Sequence, residues 1–138
     1  MQCHSSSPVP PGPVSDKAIR MGFEADELDR AAGCQFLIAT IAMVFHVSVA
    51  ELQGPTRGRA AVAFARQVAM YTAHVALGLS LTDVGRQFGR DRTTAAHACR
   101  IIEDCRDDPR VDRALSAIET SLSVWRDDTI RELGRCLG

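Results

Sequence analysis

Apolar residues recur at three- and four-residue intervals along most of the chain, and β-branched residues nowhere alternate with polar ones as a strand requires. Cys34, Leu37, Ile38, Ile41, Val44 and Phe45 mark a helix over residues 28–46, whose other face is nearly as apolar. Such a helix is buried on two sides or docks a partner. Ser48 can cap a short helical turn through Leu52, which Gly54-Pro55 ends. Thr56-Arg57-Gly58-Arg59 reads as an exposed basic loop leading into a long helix over residues 60–78, with Ala61, Phe64, Val68, Thr72 and Val75 along one side and Gly78 closing it. Ser80 and Asp83 have capping-box spacing before a helix from Leu81 to Phe88. Gly89 permits a left-handed turn, and Asp91 is the expected N-cap of a helix continuing to Arg106. Asp108-Pro109 supplies a cap and a proline at the first helical position, so a last helix runs past Trp125 to Leu133 with Leu115, Ile118, Leu122 and Trp125 as its stripe.

At 138 residues and 46% apolar, the chain can fill the core of one domain, and its abundant Ala, Leu, Arg and Glu favour helix throughout. The expected organisation is a disordered Pro/Ser-rich tail over 1–25, a compact all-α domain over 26–106, and a helical extension over 107–138 packed on it. Residues 1–15 lack the apolar segment of a signal peptide, and the run from Phe36 to Phe45 is far short of the roughly 20 residues that span a bilayer. No membrane association is expected.

A formal net charge of −1 argues against a polyanion partner until its distribution is considered. Residues 57–106 hold eight arginines (57, 59, 66, 86, 90, 92, 100 and 106) against four acids (83, 91, 103 and 104), a local net of +4, while both flanks are acidic. Lys17 is the single lysine. A Walker A loop needs its lysine, so nucleotide binding of that kind is excluded, and no Schiff-base lysine is available in a folded pocket. Cys3, Cys34, Cys99, Cys105 and Cys136 form no C-x-x-C pair. His97, Cys99 and Cys105 are the one conceivable metal or thiol set, but His97 and Cys99 point about 200° apart on a helix. No metal, cofactor or catalytic centre is expected; reduced cysteines serving as small hydrophobes suit a cytoplasmic protein.

The segment from Ser80 to Glu103 carries the chemistry. On a 100° wheel Ala95, Ala98, Cys99 and Ile102 share one face, small enough to pack on Val84 and Phe88, and Thr93, Ala96, His97 and Arg100 share the other. Arginine can donate two bonds to guanine, threonine can bond a base edge or set its methyl against thymine, and an acid can accept from cytosine. A purely structural surface helix has no reason to begin Asp-Arg-Thr-Thr.

This segment resembles the signature of the C-terminal DNA-binding domain of the bacterial chromosomal replication initiator DnaA. The matching motifs are Arg90-Asp91-Arg92-Thr93-Thr94 and His97-Ala98-Cys99-Arg100, within a likeness that extends over residues 28–106. The resemblance implies a Trp-repressor-like helix-turn-helix, without the ATPase module, that binds double-stranded DNA sequence-specifically in the control of replication or transcription, at the nucleoid. It places Asp91, Arg92, Thr93 and Thr94 at base-reading positions. Arg66, of the Arg66-Gln67 pair, is placed in the minor groove. Arg57, Arg59, the N–H groups of Leu81 and Thr82, His97 and Arg100 are placed at phosphates.

Four departures from the family pattern bear on the site. Gly89 stands alone where the family usually has two glycines, which tilts the recognition helix; Arg92 replaces histidine and favours guanine. Ala95-Ala96 replaces a bulky pair, and Ile101 replaces a basic residue, leaving an apolar group exposed. A second reading follows from the apolar first helix, Ile101 and the acidic flanks: a non-catalytic adaptor that uses this fold to bind the replication initiator or its regulators.

Overall fold

The computed structural model describes residues 16–55 and 58–137, and among these every regular element is helical: α1 (Asp16–Phe45), α2 (Val49–Gln53), α3 (Ala60–Val75), α4 (Leu81–Gln87), α5 (Arg92–Cys105) and α6 (Pro109–Leu137). The expected tail lies outside the described residues as far as residue 15, as do Cys3 and Arg57. From residue 16 the expectation of disorder is corrected, because α1 begins at Asp16 rather than at residue 28. Amphipathic spacing fades before Leu28, but no proline follows Pro13 until Pro55, and a helix already nucleated continues through Lys, Ala, Ile, Arg, Met and Glu at little cost.

At its other end α1 buries Cys34, Leu37, Ile38, Ile41 and Ala42, whereas Met43 and Val44 stand 74% and 54% exposed. Burial thus falls mainly on one side. Cys34 has no exposed surface, and desolvation pushes its thiol up to about 11. Because the thiolate is the nucleophile, Cys34 should resist alkylation at neutral pH until the chain unfolds, whereas exposed Cys136 should react at once. Mass spectrometry after brief iodoacetamide treatment, with and without urea, checks this.

Helix α3 is the centre of the fold, in contact with α1, α2, α4 and α5. The single stripe expected along it is therefore corrected: Ala61 and Val75 are exposed, while Val62, Ala65, Val68 and the run Ala69 to Ala73 are buried. A helix enclosed on several sides has no single apolar face from which its phase can be read. It stops at Val75, and Gly78 takes the left-handed turn at φ +69°.

Ser80 accepts from the Asp83 N–H at 3.1 Å, but the Asp83 carboxylate turns to Arg86 at 3.5 Å, so the capping box is half formed. The full box occurs at α2, where Glu51, one methylene longer than aspartate, reaches back to the Ser48 N–H at 2.8 Å. Between α4 and α5, Phe88 is wholly buried and Gly89 sits at φ +62°.

Helix α6 lays Leu115, Ile118 and Leu122 into the core and ends at Leu137, beyond the expected Leu133. Trp125 stacks on Phe36 of α1, with ring centroids 4.5 Å apart and planes 8° from parallel. At the C-cap of α5, Arg106 joins three elements: Nε donates to Asp112 at 2.7 Å, Nη1 to Glu119 at 2.6 Å and to the Tyr71 hydroxyl at 3.0 Å, and Nη2 to Ser116 at 3.0 Å.

Candidate nucleic-acid interface

Helices α4 and α5 form a helix-turn-helix whose second member presents its amino end outward. Asp91 Oδ1 accepts the Thr94 N–H at 2.7 Å, which caps α5 and holds the Asp91 carboxyl below its ordinary range. The cap is therefore intact near neutral pH, and its contribution is lost as pH falls through that lowered pKa. One oxygen of Asp91 is thus occupied by the helix itself.

Ala95, Ala98 and Ile102 are buried against the core, with Val84 and Phe88 beneath them. Asp91, Arg92, Thr93, Thr94, His97 and Arg100 are all exposed. This split agrees with the helical wheel apart from Ala96 on the outer face and Cys99 on the inner one, both half-buried; Ile101, expected to be exposed, is half-buried as well. Arg59 is 72% exposed along its side chain and lies 3.4 Å from the Glu51 carboxylate. At the start of α4 the Leu81 and Thr82 N–H groups belong to the first helical turn, which has no intrahelical acceptors, and the Ser80 hydroxyl takes the Asp83 N–H instead.

Arg66 is corrected. It is buried, its Nε donating to the Leu52 carbonyl at 2.8 Å and its Nη2 to the Glu51 carbonyl at 2.6 Å, and so it does not project toward a groove. Burial, with Arg90 nearby, pulls its pKa below the usual arginine value. The cause lies in α2. A helix end leaves its last carbonyls without intrahelical donors, and Pro55, just after Gly54, has no N–H to offer. Arginines from elsewhere fill that need: Arg66, and Arg90, whose Nη2 donates to the Gly54 carbonyl at 2.9 Å. The Gly54-Pro55 pair behind a short helix is the available signal, and periodicity does not register it.

The basic charge facing outward is correspondingly smaller than the linear count. Of the eight arginines in residues 57–106, Arg66, Arg90 and Arg106 are bonded inside the fold, Arg59 and Arg86 are exposed but paired with Glu51 and Asp83, and Arg57 lies outside the described residues. Arg92 and Arg100 remain exposed on the α5 face. A cleft of about 320 Å³ opens between α3 and α5, lined by Arg66, Gln67, Met70, Arg90, Thr94 and His97 among others, so the inward-bonded Arg66 and Arg90 form part of its wall.

Among the described residues, no group of three or more His, Cys, Asp or Glu could hold a metal ion, and no helix is long and apolar enough to cross a membrane.

Residues 34–102 match the family described as the bacterial dnaA protein helix-turn-helix. The chromosomal replication initiator protein DnaA of Bifidobacterium animalis subsp. lactis is 44% identical over 69 residues, 49% of this chain and 12% of that protein. The DnaA of Thermomicrobium roseum is 37% identical over 90 residues, 64% of this chain and 19% of its own. That of Lactococcus lactis subsp. cremoris is 38% identical over 81 residues, covering 57% and 18% respectively. The chain therefore spans less than a fifth of the length of these relatives.

Proposed function

Because this chain belongs to the family of the bacterial DnaA helix-turn-helix, a DNA-binding module of replication initiators, we propose that it binds double-stranded DNA sequence-specifically in the control of replication or transcription, acting at the nucleoid in the cytoplasm. One observation carries the reading: α5 opens with Arg92, Thr93 and Thr94 exposed at its amino end, while its opposite face is sealed against the core. In this reading Asp91, Arg92, Thr93 and Thr94 meet base edges in the major groove. Arg59, the Leu81 and Thr82 N–H groups, His97 and Arg100 meet phosphates. Arg57 is assigned to phosphate by its place in the sequence alone, and no minor-groove contact is assigned to Arg66.

Selection of bound duplexes from a random pool, followed by gel shifts, tests this. Arg92→Ala or Thr93→Ala should cost about 1–3 kcal/mol at the preferred site and relax base choice there. Arg59→Ala should weaken all duplexes alike. Recovery of no enriched sequence refutes specific recognition.

The exposed Val44, at the edge of an apolar groove of about 470 Å³ walled by Phe45, Phe64, Val111 and Leu115, together with the exposed Met43 before it in the chain, favours a second reading as an adaptor for the initiator or its regulators. Salt separates the two. Three to five phosphate contacts give a log K against log salt slope of about −2.7 to −4.5, whereas apolar docking responds little.

A further inference from the structure

Arg90 opens the Arg-Asp-x-Thr-Thr motif, yet its side chain is turned toward the protein. Nη1 donates to the Phe88 carbonyl at 2.9 Å and the Gly89 carbonyl at 3.4 Å, and Nη2 to the Gly54 carbonyl at 2.9 Å. Its backbone N–H donates to the Gly85 carbonyl at 2.7 Å. One residue thus joins the end of α4, the turn and the end of α2. Helix α2 is itself held to α3 by Arg66.

The turn needs such a tie. Between buried Phe88 and the N-cap Asp91 stand only Gly89 and Arg90, and glycine restrains φ least of all residues. Arg92 and Thr93 follow at once, so any swing at Gly89 is carried directly to their tips. Hydrogen bonds to base edges weaken steeply with a few tenths of an ångström or a poor angle, whereas attraction to phosphate tolerates both.

We infer that Arg90 is a positioning residue for base recognition: it makes no contact with DNA but fixes the angle at which α5 leaves the turn, with α2 as a brace. This rests on the sequence-specific reading proposed above and adds to it which residue holds the reading head. The alternative is that Arg90 contacts a phosphate directly.

The test compares Arg90→Ala and Arg90→Lys with the wild-type full chain. Lysine keeps the charge but lacks the planar fork that spans two carbonyl sites. Binding is measured on the selected duplex and on one scrambled at the bases read by Arg92 and Thr93, across a salt series. Amide exchange of residues 89–94 is followed without DNA, and thermal melts establish that both variants fold. Positioning predicts that preference for the selected duplex falls about tenfold or more in both variants, that the salt slope changes by less than one, and that exchange quickens. Equal weakening on both duplexes with a slope reduced by about one and Arg90→Lys close to wild type identifies a phosphate contact and overturns the inference. Unchanged exchange, or undiminished discrimination, overturns it as well. A wild-type protein without sequence preference refutes the specific-binding reading first, and this inference falls with it.

Discussion

Gly85→Ala should destabilise the protein by about 2–3 kcal/mol, although the same change in an open helix is favourable by about 1 kcal/mol. Gly85 lies inside α4, and a Cβ placed on it would stand 2.5 Å from the Arg90 carbonyl oxygen and 3.1 Å from the Asp91 carbonyl carbon. Those are backbone atoms of the turn, not the ends of flexible side chains, so the turn must move. It is held from below by the Arg90 N–H on the Gly85 carbonyl at 2.7 Å, which leaves little room to yield. Helix propensity and steric exclusion oppose each other here, and exclusion wins by its magnitude. Gly134 supplies the contrast: it lies in α6, where an added Cβ would meet nothing within 4 Å, so Gly134→Ala should stabilise by up to about 1 kcal/mol. Urea denaturation of the two variants measures both. Equal signs at the two sites would refute the argument, and because the displaced backbone is the start of α5, Gly85→Ala should also lose discrimination among duplexes.

What can be seen in the sequence depends on whether a residue's environment is local. Asp91 as N-cap, the inward set Ala95, Ala98 and Ile102, and the left-handed Gly89 are fixed by neighbours within one turn, and spacing alone identifies them. The start of α1 escapes such a reading because propensity, not amphipathic spacing, carries the helix back to Asp16. The buried face of α3 escapes it because four helices surround that helix. Arginine is the residue whose placement depends most on distant partners. A linear count takes Arg66, Arg90 and Arg106 as surface charge, whereas carbonyls and carboxylates distant in sequence draw each of them inward. The partners of Arg106 leave a trace: Asp112, Ser116 and Glu119 recur at i, i+4 and i+7 beside the apolar stripe of Leu115, Ile118 and Leu122. A polar stripe abutting a core stripe points to a buried polar cluster, which a scan for apolar periodicity passes over.

That cluster gives the second large effect. Arg106→Ala should cost about 3 kcal/mol, because a guanidinium only 19% exposed is removed while its partners stay where they are. Asp112 and Glu119 on α6 lose their cation, and the Tyr71 hydroxyl, which donates to Glu103 at 2.9 Å, loses the donor that it accepts from. The bond to Asp112, followed by that to Tyr71, holds the guanidinium's pKa above its usual value. Arg106→Lys should recover less than half of the loss, since one ammonium cannot reach Asp112, Glu119, Ser116 and Tyr71 together. Adding Glu119→Ala to Arg106→Ala should cost less than the separate effects combined, with a coupling of about 1–3 kcal/mol in the double-mutant cycle; additivity would mean that the pair is incidental. The two ends of α5 then separate by function. Arg106 is its C-cap, a full helix away from Arg92 and Thr93, and ties α5 to α6 and α3. Losing it should lower stability while leaving the ranking of duplex sequences intact, whereas a change at Arg90 alters that ranking with the core undisturbed.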